Sequence, residues 1–284
     1  MYKLGINFDE ISDKLDDSIK LMHELDIRYG ELRTINSKNF VFWSDKEVAN
    51  FKKITSKAGI NLVAAATPLF KWYKTDQDPD IEHDNFGFDP RLKMDKKLEL
   101  MERTMVIASM LGITRLRIFS GLGKPGPNAG LDFANDVLLN KALLLADQYK
   151  IDLYLENEPV CQVNNKKDIV QLFNACNNPR LKFWLDIANL IEVGDEIDRE
   201  FLDKIHDRIG YIHIKDYLLI DGIKHYVPVG QGKIDYRKII MLLHQTCSDD
   251  LNISIETHAP PDKRIDYSRI SIHNISLILK EFQL

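Results

Sequence analysis

Four short apolar runs each carry a residue able to hold a metal ion: LYLE at Glu156, FWLD at Asp186, YIHI around His213 and ISIE at Glu256. Carboxylate oxygens with one imidazole nitrogen form a donor set that suits Mn2+, Mg2+, Co2+ or Zn2+. Glu156 to Asp186 is 30 residues and Asp186 to His213 is 27, about one strand-plus-helix unit each; the 43 residues from His213 to Glu256 include a long irregular segment. Brought together without compensation, three carboxylates repel one another and at least one stays protonated. A single divalent ion relieves that repulsion. A lone acid at a strand end is ordinarily a helix N-cap or a surface charge. Four metal-binding residues on consecutive strands point instead to one shared site.

Residues so far apart meet only if the chain returns repeatedly to the same face. Its pattern does so. Strand-type runs fall at 3–8, 29–34, 61–67, 114–119, 151–157, 181–186, 210–216 and 252–257, and segments with helical spacing lie between them, such as 15–25, 95–111, 135–149, 167–176, 196–205, 235–245 and 267–282. Gly59, Gly112 and Gly210 precede strands as turn residues. Eight alternating units predict an α/β chain folded as a single (β/α)8 TIM barrel over residues 1–284. A doubly wound open sheet is disfavoured, because neither a G-x-G-x-x-G nor a Walker A sequence opens a helix. Long segments at 69–91, 120–130 and 217–233 all follow strand C-termini, the catalytic face of such a barrel.

Hydrophobic residues make up 44% and charged residues 29%, so the core needs no structural metal, and a metal here requires a functional reason. A net charge of −5 argues against a nucleic-acid partner. The three cysteines, without a C-x-x-C, fit a reducing cytoplasm, and no run is long and apolar enough for a membrane span. A cytoplasmic protein acting on a small sugar or polyol is expected, with a homo-oligomer left open.

The motifs LYLENEP, FWLDIANL, YIHIKDY followed by VPVGQGKIDY, and ISIETH resemble the xylose isomerase-like TIM barrels, a family of sugar phosphate isomerases and epimerases. The resemblance covers nearly the whole chain and implies the same four metal ligands, Glu156, Asp186, His213 and Glu256. It further implies that Glu156 and Glu256 act as an acid–base pair. A polyol ketone chelated by the metal would lose its α-proton to one glutamate, with the resulting enediolate stabilised by the cation. Return of a proton by the other to the opposite face is epimerisation; return to the adjacent carbon is aldose–ketose isomerisation.

Further residues are candidates for substrate contact. Glu31 and Arg33 end the second strand, and an ion pair at the barrel mouth is the alternative for both. Glu158 and Asn189 stand where relatives carry histidines. Lys215 is positioned to polarise a substrate oxygen or to pair with a carboxylate, and Asp216 to orient a metal ligand through a hydrogen bond. Trp72, with Phe70, Tyr73 and Phe86, would form an aromatic lid, against a reading of ordinary loop packing. His258 and Arg264 follow the eighth strand, near enough to meet an anionic substrate.

Three other functions remain to be weighed. A dehydratase of a keto-inositol or a dehydroshikimate-type acid shares the proton abstraction. Leu219, where D-ketohexose 3-epimerases have an arginine, separates this chain from that subgroup. Abasic-site endonucleases share the barrel, but look trinuclear, with histidines at the ends of strands 2 and 3. Those ends read Glu31-Leu32-Arg33 and Ala66-Thr67-Pro68 here. A non-catalytic sugar-binding barrel is the remaining alternative. No phosphate-binding loop is evident where such barrels usually place one.

Overall fold

The structure is a computed structural model that describes residues 2–284 except 76, 85, 86 and 249. Eight parallel strands close into a barrel. They are β1 Lys3–Asn7, β2 Tyr29–Leu32, β3 Asn61–Ala65, β4 Arg115–Ile118, β5 Asp152–Glu156, β6 Leu181–Asp186, β7 Ile209–Ile214 and β8 Asn252–Ile255. Pairing of β1 with β8, Lys3 opposite Asn252 through Ile6 opposite Ile255, completes the circle. The helices after the strands are α1 Leu15–Glu24, α2 Asp45–Lys57, α3 Met94–Leu111, α4 Val137–Tyr149, α5 Lys166–Ala175, α6 Arg199–Ile205, α7 Tyr236–Thr246 and α8 Arg264–Glu281.

The strands alternate with period two, and the alternation sorts their side chains. Leu153, Leu155, Phe183, Leu185, Ile212 and Ile214 face outward into the core beneath the helices. Tyr154, Trp184 and Tyr211 face the barrel axis, where with Ala64 they form a separate inner cluster. Two residues further along each strand, on the same face, come Glu156, Asp186 and His213. An aromatic layer therefore floors the polar residues; Trp184 meets the His213 ring edge-on at 4.9 Å. A packed floor of this kind keeps water from reaching the site from below.

Three details differ from the sequence-based expectation. Gly112 ends α3 in the left-handed conformation (φ +79°), as anticipated, but Gly210 is not a turn residue. It lies inside β7, where a Cβ would come within 2.7 Å of the Tyr154 ring, so its role is to make room in the barrel. The segment 217–233 is not wholly irregular either. Asp216–Ile220 and Ile223–Val227 form a hairpin across Asp221-Gly222. Both turn residues have positive φ, 53° and 78°, the geometry a two-residue Asp-Gly turn adopts. Finally, the 120–130 loop passes into a short helix, Ala129–Ala134.

That short helix packs against α5 by direct backbone approach. A Cβ on Gly130 would overlap the Asp168 carbonyl oxygen and lie 2.8 Å from Leu172 N. Backbone atoms in a helix cannot move aside as a side-chain tip can. Gly130→Ala is therefore expected to destabilise the fold by about 1–3 kcal/mol, read as a lower urea midpoint at unchanged slope. An unaltered midpoint would show that this contact is not tight.

Candidate metal centre

Glu156, Asp186, His213 and Glu256 are all buried, and one ligand atom from each lies within 4.8 Å of the others. Asn157 helps set this geometry. Its Nδ2 donates to Asp186 O and its Oδ1 accepts from Asp186 N, both at 2.9 Å, which locks the end of β5 to the end of β6. Asp186 divides its two oxygens between two tasks. Oδ1 caps the short helix Ile187–Glu192 by accepting from Asn189 N at 2.8 Å, and Oδ2 belongs to the cluster. Helix capping and site formation, alternatives at the level of sequence, are both present.

His213 is held from behind. Its Nε2 lies 2.9 Å from Glu31 Oε2, while Nδ1 faces Glu156 Oε1 at 3.0 Å, Glu256 Oε2 at 3.3 Å and Asp186 Oδ2 at 3.8 Å. Glu31 is fully buried and also accepts from Tyr211 OH and Asn7 Nδ2, at 3.0 and 3.2 Å. Such a carboxylate holds a proton on Nε2 and turns Nδ1 toward the cluster, where it offers a lone pair to an ion that displaces its own proton. Glu31, expected as a substrate contact, is thus placed behind the histidine, its two oxygens taken up by His213 Nε2, Tyr211 and Asn7.

Cations surround the carboxylates, the arginines on the outer oxygens of Glu156 and Glu256 and Lys215 on oxygens of the cluster itself. Arg117 NH1 lies 3.0 Å from Glu156 Oε2, and Lys215 Nζ lies 2.9 Å from Asp186 Oδ2 and 3.0 Å from Glu256 Oε2. Arg33 reaches Glu256 Oε1 at 2.7 Å, Glu10 at 2.5 Å and Asp9 at 3.0 Å. His258 Nε2 sits 3.1 Å from Glu256 Oε2, and its ring stacks on Tyr226 of the hairpin. Burial alone would push these carboxyls up. Lys215, His213 and His258 outweigh it at Glu256, and Arg117 with His213 at Glu156, so both are held well below the ordinary range. Burial wins at Asp186, where Lys215 compensates only in part and the neighbouring glutamates add to the rise.

These residues fit a divalent ion. Glu156 Oε2 and Asp186 Oδ2 are buried without a hydrogen bond of acceptable geometry, despite the nearby cations. Three carboxylates and an imidazole around one point supply the hard and borderline donors such an ion prefers. A neighbouring group of Glu10, Glu256 and His258 also converges. There the Arg33 guanidinium already bridges Glu10 and Glu256, taking the place of a second cation.

The other expected residues are distributed differently. Glu158 is half-buried and pairs with Lys71 Nζ at 3.3 Å; Lys71 also meets Asp84 at 3.3 Å and lies over the Phe119 ring. Asn189 is buried with an unpartnered Nδ2. Trp72 is buried against Phe70 and Lys97, and Tyr73 beneath Arg91, so these aromatics pack the loop's own interior. This corrects the lid reading for Trp72; Phe86 lies outside the described residues. Asp216 does not orient a metal ligand through its carboxylate, which is taken up by backbone N–H groups of Tyr217, Gly230, Gly232 and Ile234. Arg264 pairs with Asp13 at 2.9 Å.

Sequence reasoning missed Arg117, Lys71, Asp9, Glu10 and Asn157. The signal for Arg117 was present: in TRLRIF two arginines share one strand face, and an apolar strand does not bury guanidinium groups without acidic partners.

A closed eight-stranded parallel barrel carries a buried Glu-Asp-His-Glu cluster at its strand ends, a donor set that could hold a divalent ion. Consistently, residues 19–274 match the family model of the xylose isomerase-like TIM barrel, and the chain belongs to that family. No curated protein matches the sequence at a significant level. Among solved structures, the IolI protein with a bound zinc atom is similar at TM-score 0.75 and 18% identity, over 99% of this chain and 100% of that one. The probable 3-DHS dehydratase AsbF of Bacillus anthracis is similar at 0.74 and 15%, over 96% and 98%. The D-allulose 3-epimerase of Methylomonas sp., in complex with D-allulose, is similar at 0.72 and 16%, over 98% and 96%. At these identities the likeness is one of fold. Among the described residues no helix is long and apolar enough to cross a membrane.

Proposed function

We propose that the chain is a divalent-metal-dependent isomerase or epimerase of a sugar or polyol ketone, with Glu156 and Glu256 as its proton-transfer pair. The observation that carries this reading is their arrangement. The two carboxylates come from β5 and β8, converge on His213 Nδ1 from different strands, and each keeps its other oxygen against an arginine. Arg117 and Arg33 thus fix the orientation of both carboxylates, and the surrounding cations keep both ionised at neutral pH, able to accept a proton despite full burial.

Held by Glu156, Asp186, His213 and Glu256, a divalent ion supplies Lewis acidity toward a ketone oxygen and so acidifies the adjacent C–H. The chain's own groups do the rest. One glutamate accepts the α-proton and later releases it to solvent; the other, ionised in the resting protein, takes up a solvent proton and delivers it to the opposite face, or to the next carbon. Lys215 donates a hydrogen bond to the oxygen on which negative charge develops. The unpartnered Asn189 amide is a donor for a neighbouring hydroxyl. The zinc bound by the IolI protein and the allulose bound by the epimerase agree with this reading, though each is a property of that relative.

The test is metal analysis of purified protein followed by incubation with ketoses and inososes in D2O. About one ion per chain and deuterium at the α-carbon are expected, and product stereochemistry separates epimerisation, isomerisation and loss of a β-hydroxyl. Absence of α-exchange in fully metal-loaded protein across the panel would overturn the reading. In a separate measurement, Glu31→Gln is expected to weaken metal affinity by about 10- to 100-fold, because the His213 Nε2 proton loses its charged acceptor. Equal affinity by calorimetry would remove Glu31 from the site.

A further inference from the structure

The cations that line the barrel mouth already have partners within the chain. Eight carboxylates meet four permanent cations there: Arg33, Lys71, Arg117 and Lys215 each lie against one or more acids, and Glu31 stands behind His213. A divalent ion adds two positive charges and leaves the set two short of neutrality. An incoming anion would meet net negative charge, and at Arg33, Arg117 and Lys215 it would have to draw a cation away from a buried carboxylate, whereas Lys71 is held by the half-buried Glu158 and the largely exposed Asp84.

The backbone gives an independent observation. The Pro228-Val229-Gly230-Gln231-Gly232 turn after β7 offers convergent N–H groups of the kind that cradle a phosphate. Here the chain's own carboxylate fills the cradle. Asp216 Oδ2 accepts from Gly230 N and Gly232 N, both at 3.0 Å, and Oδ1 accepts from Tyr217 N at 2.9 Å and Ile234 N at 3.3 Å. A Cβ on Gly232 would overlap Asp216 itself, so the turn is closed tightly around that side chain. The next helix is treated alike: the Asp235 carboxylate accepts from Lys238 N at 3.0 Å in its first turn.

We infer that this site takes an uncharged polyhydroxy ketone and discriminates against phosphorylated and carboxylated counterparts. This rests on the proton-transfer reading above and names its substrate class. Hydroxyl groups donate and accept at once, so they can bond to carboxylates and to cations that keep their partners. Phosphate or carboxylate groups only accept, and the one neutral amide left unpartnered beside Asp186 among the described residues, that of Asn189, does not offset their charge.

Metal-loaded protein titrated by calorimetry tests this, with free ketohexoses against their phosphates and inososes against dehydroshikimate. The same ligands are then followed for α-exchange in D2O. The neutral member of each pair is expected to bind at least about tenfold more tightly, a difference of attraction and repulsion combined. Tighter binding of the anionic members, or no binding by any neutral one, would overturn the inference. Neutral binding without α-exchange would support it while sinking the proton-transfer reading, so the two failures are distinguishable. Glu158→Gln, at a half-buried position, removes one negative charge beside Lys71. It is expected to narrow the preference for neutral ligands several-fold, and an unchanged ratio would count against charge matching as the cause.

Discussion

Glu156→Gln and Glu256→Gln are each expected to lower α-deuterium incorporation by about 10²- to 10⁴-fold, the range for loss of a positioned general acid or base. Glutamine keeps the shape and one ligand oxygen but accepts no proton at working pH. The two variants should differ in stability, and this makes them informative as a pair. Arg117 has Glu156 as its near partner at 3.0 Å, with Glu256 only at 3.9 Å. Neutralising Glu156 leaves a nearly buried guanidinium without a close counter-charge, a change that typically costs about 3–5 kcal/mol. Glu256 has more support around it. When it is neutralised, Arg33 retains Asp9 and Glu10, and Lys215 retains Asp186. Glu256→Gln should therefore melt closer to the parent protein while exchanging as poorly as Glu156→Gln. Metal content must be measured on each, since ion loss alone would abolish exchange. Undiminished exchange by either metal-loaded variant would remove that glutamate from the proton-transfer pair.

The barrel and the buried Glu-Asp-His-Glu cluster were legible in the sequence for the same reason: one period-two pattern encodes both. Each of Tyr154-Leu155-Glu156, Trp184-Leu185-Asp186 and Tyr211-Ile212-His213 places an aromatic floor residue and a site residue on one face with an aliphatic between them. What was hidden depends on contacts that no local pattern carries. Arg33 touches Glu256, 223 positions away, and Glu31 touches His213 across 182. Closure of β1 against β8 creates those contacts, and the identity of the residues does not announce which carboxylate will face the ion and which will stand behind it. Asp216 illustrates the same limit. It lies three residues from His213 of the cluster, yet its two oxygens follow a turn 14 to 18 residues later. The hairpin at Asp221-Gly222 is a different case, because its turn signal was legible locally and the long loop concealed it.

Metal loading should be strongly pH-dependent, and His213 decides the sign. Burial alone would lower its pKa, but Glu31, Glu256 and Glu156 outweigh burial and raise it well above the ordinary value, which favours the imidazolium in the metal-free protein. An ion that takes Nδ1 must displace that proton, leaving the other on Nε2 against Glu31. Affinity should therefore fall about tenfold per pH unit as pH drops below the raised His213 pKa, with one proton released per ion bound. Calorimetry in buffers of different ionisation enthalpy counts that proton. For the metal-free fold the direction is opposite. A histidine whose folded pKa exceeds its unfolded pKa contributes stability in full below the unfolded value, and that stability is lost as pH rises through the folded one. The metal-free protein is thus expected to lose stability toward alkaline pH, and the loaded protein to lose less over the same window, because the ion replaces the proton as counter-charge to the three carboxylates. Metal uptake with no proton release would mean that His213 is already neutral, and its carboxylate cage would then need another source of compensation.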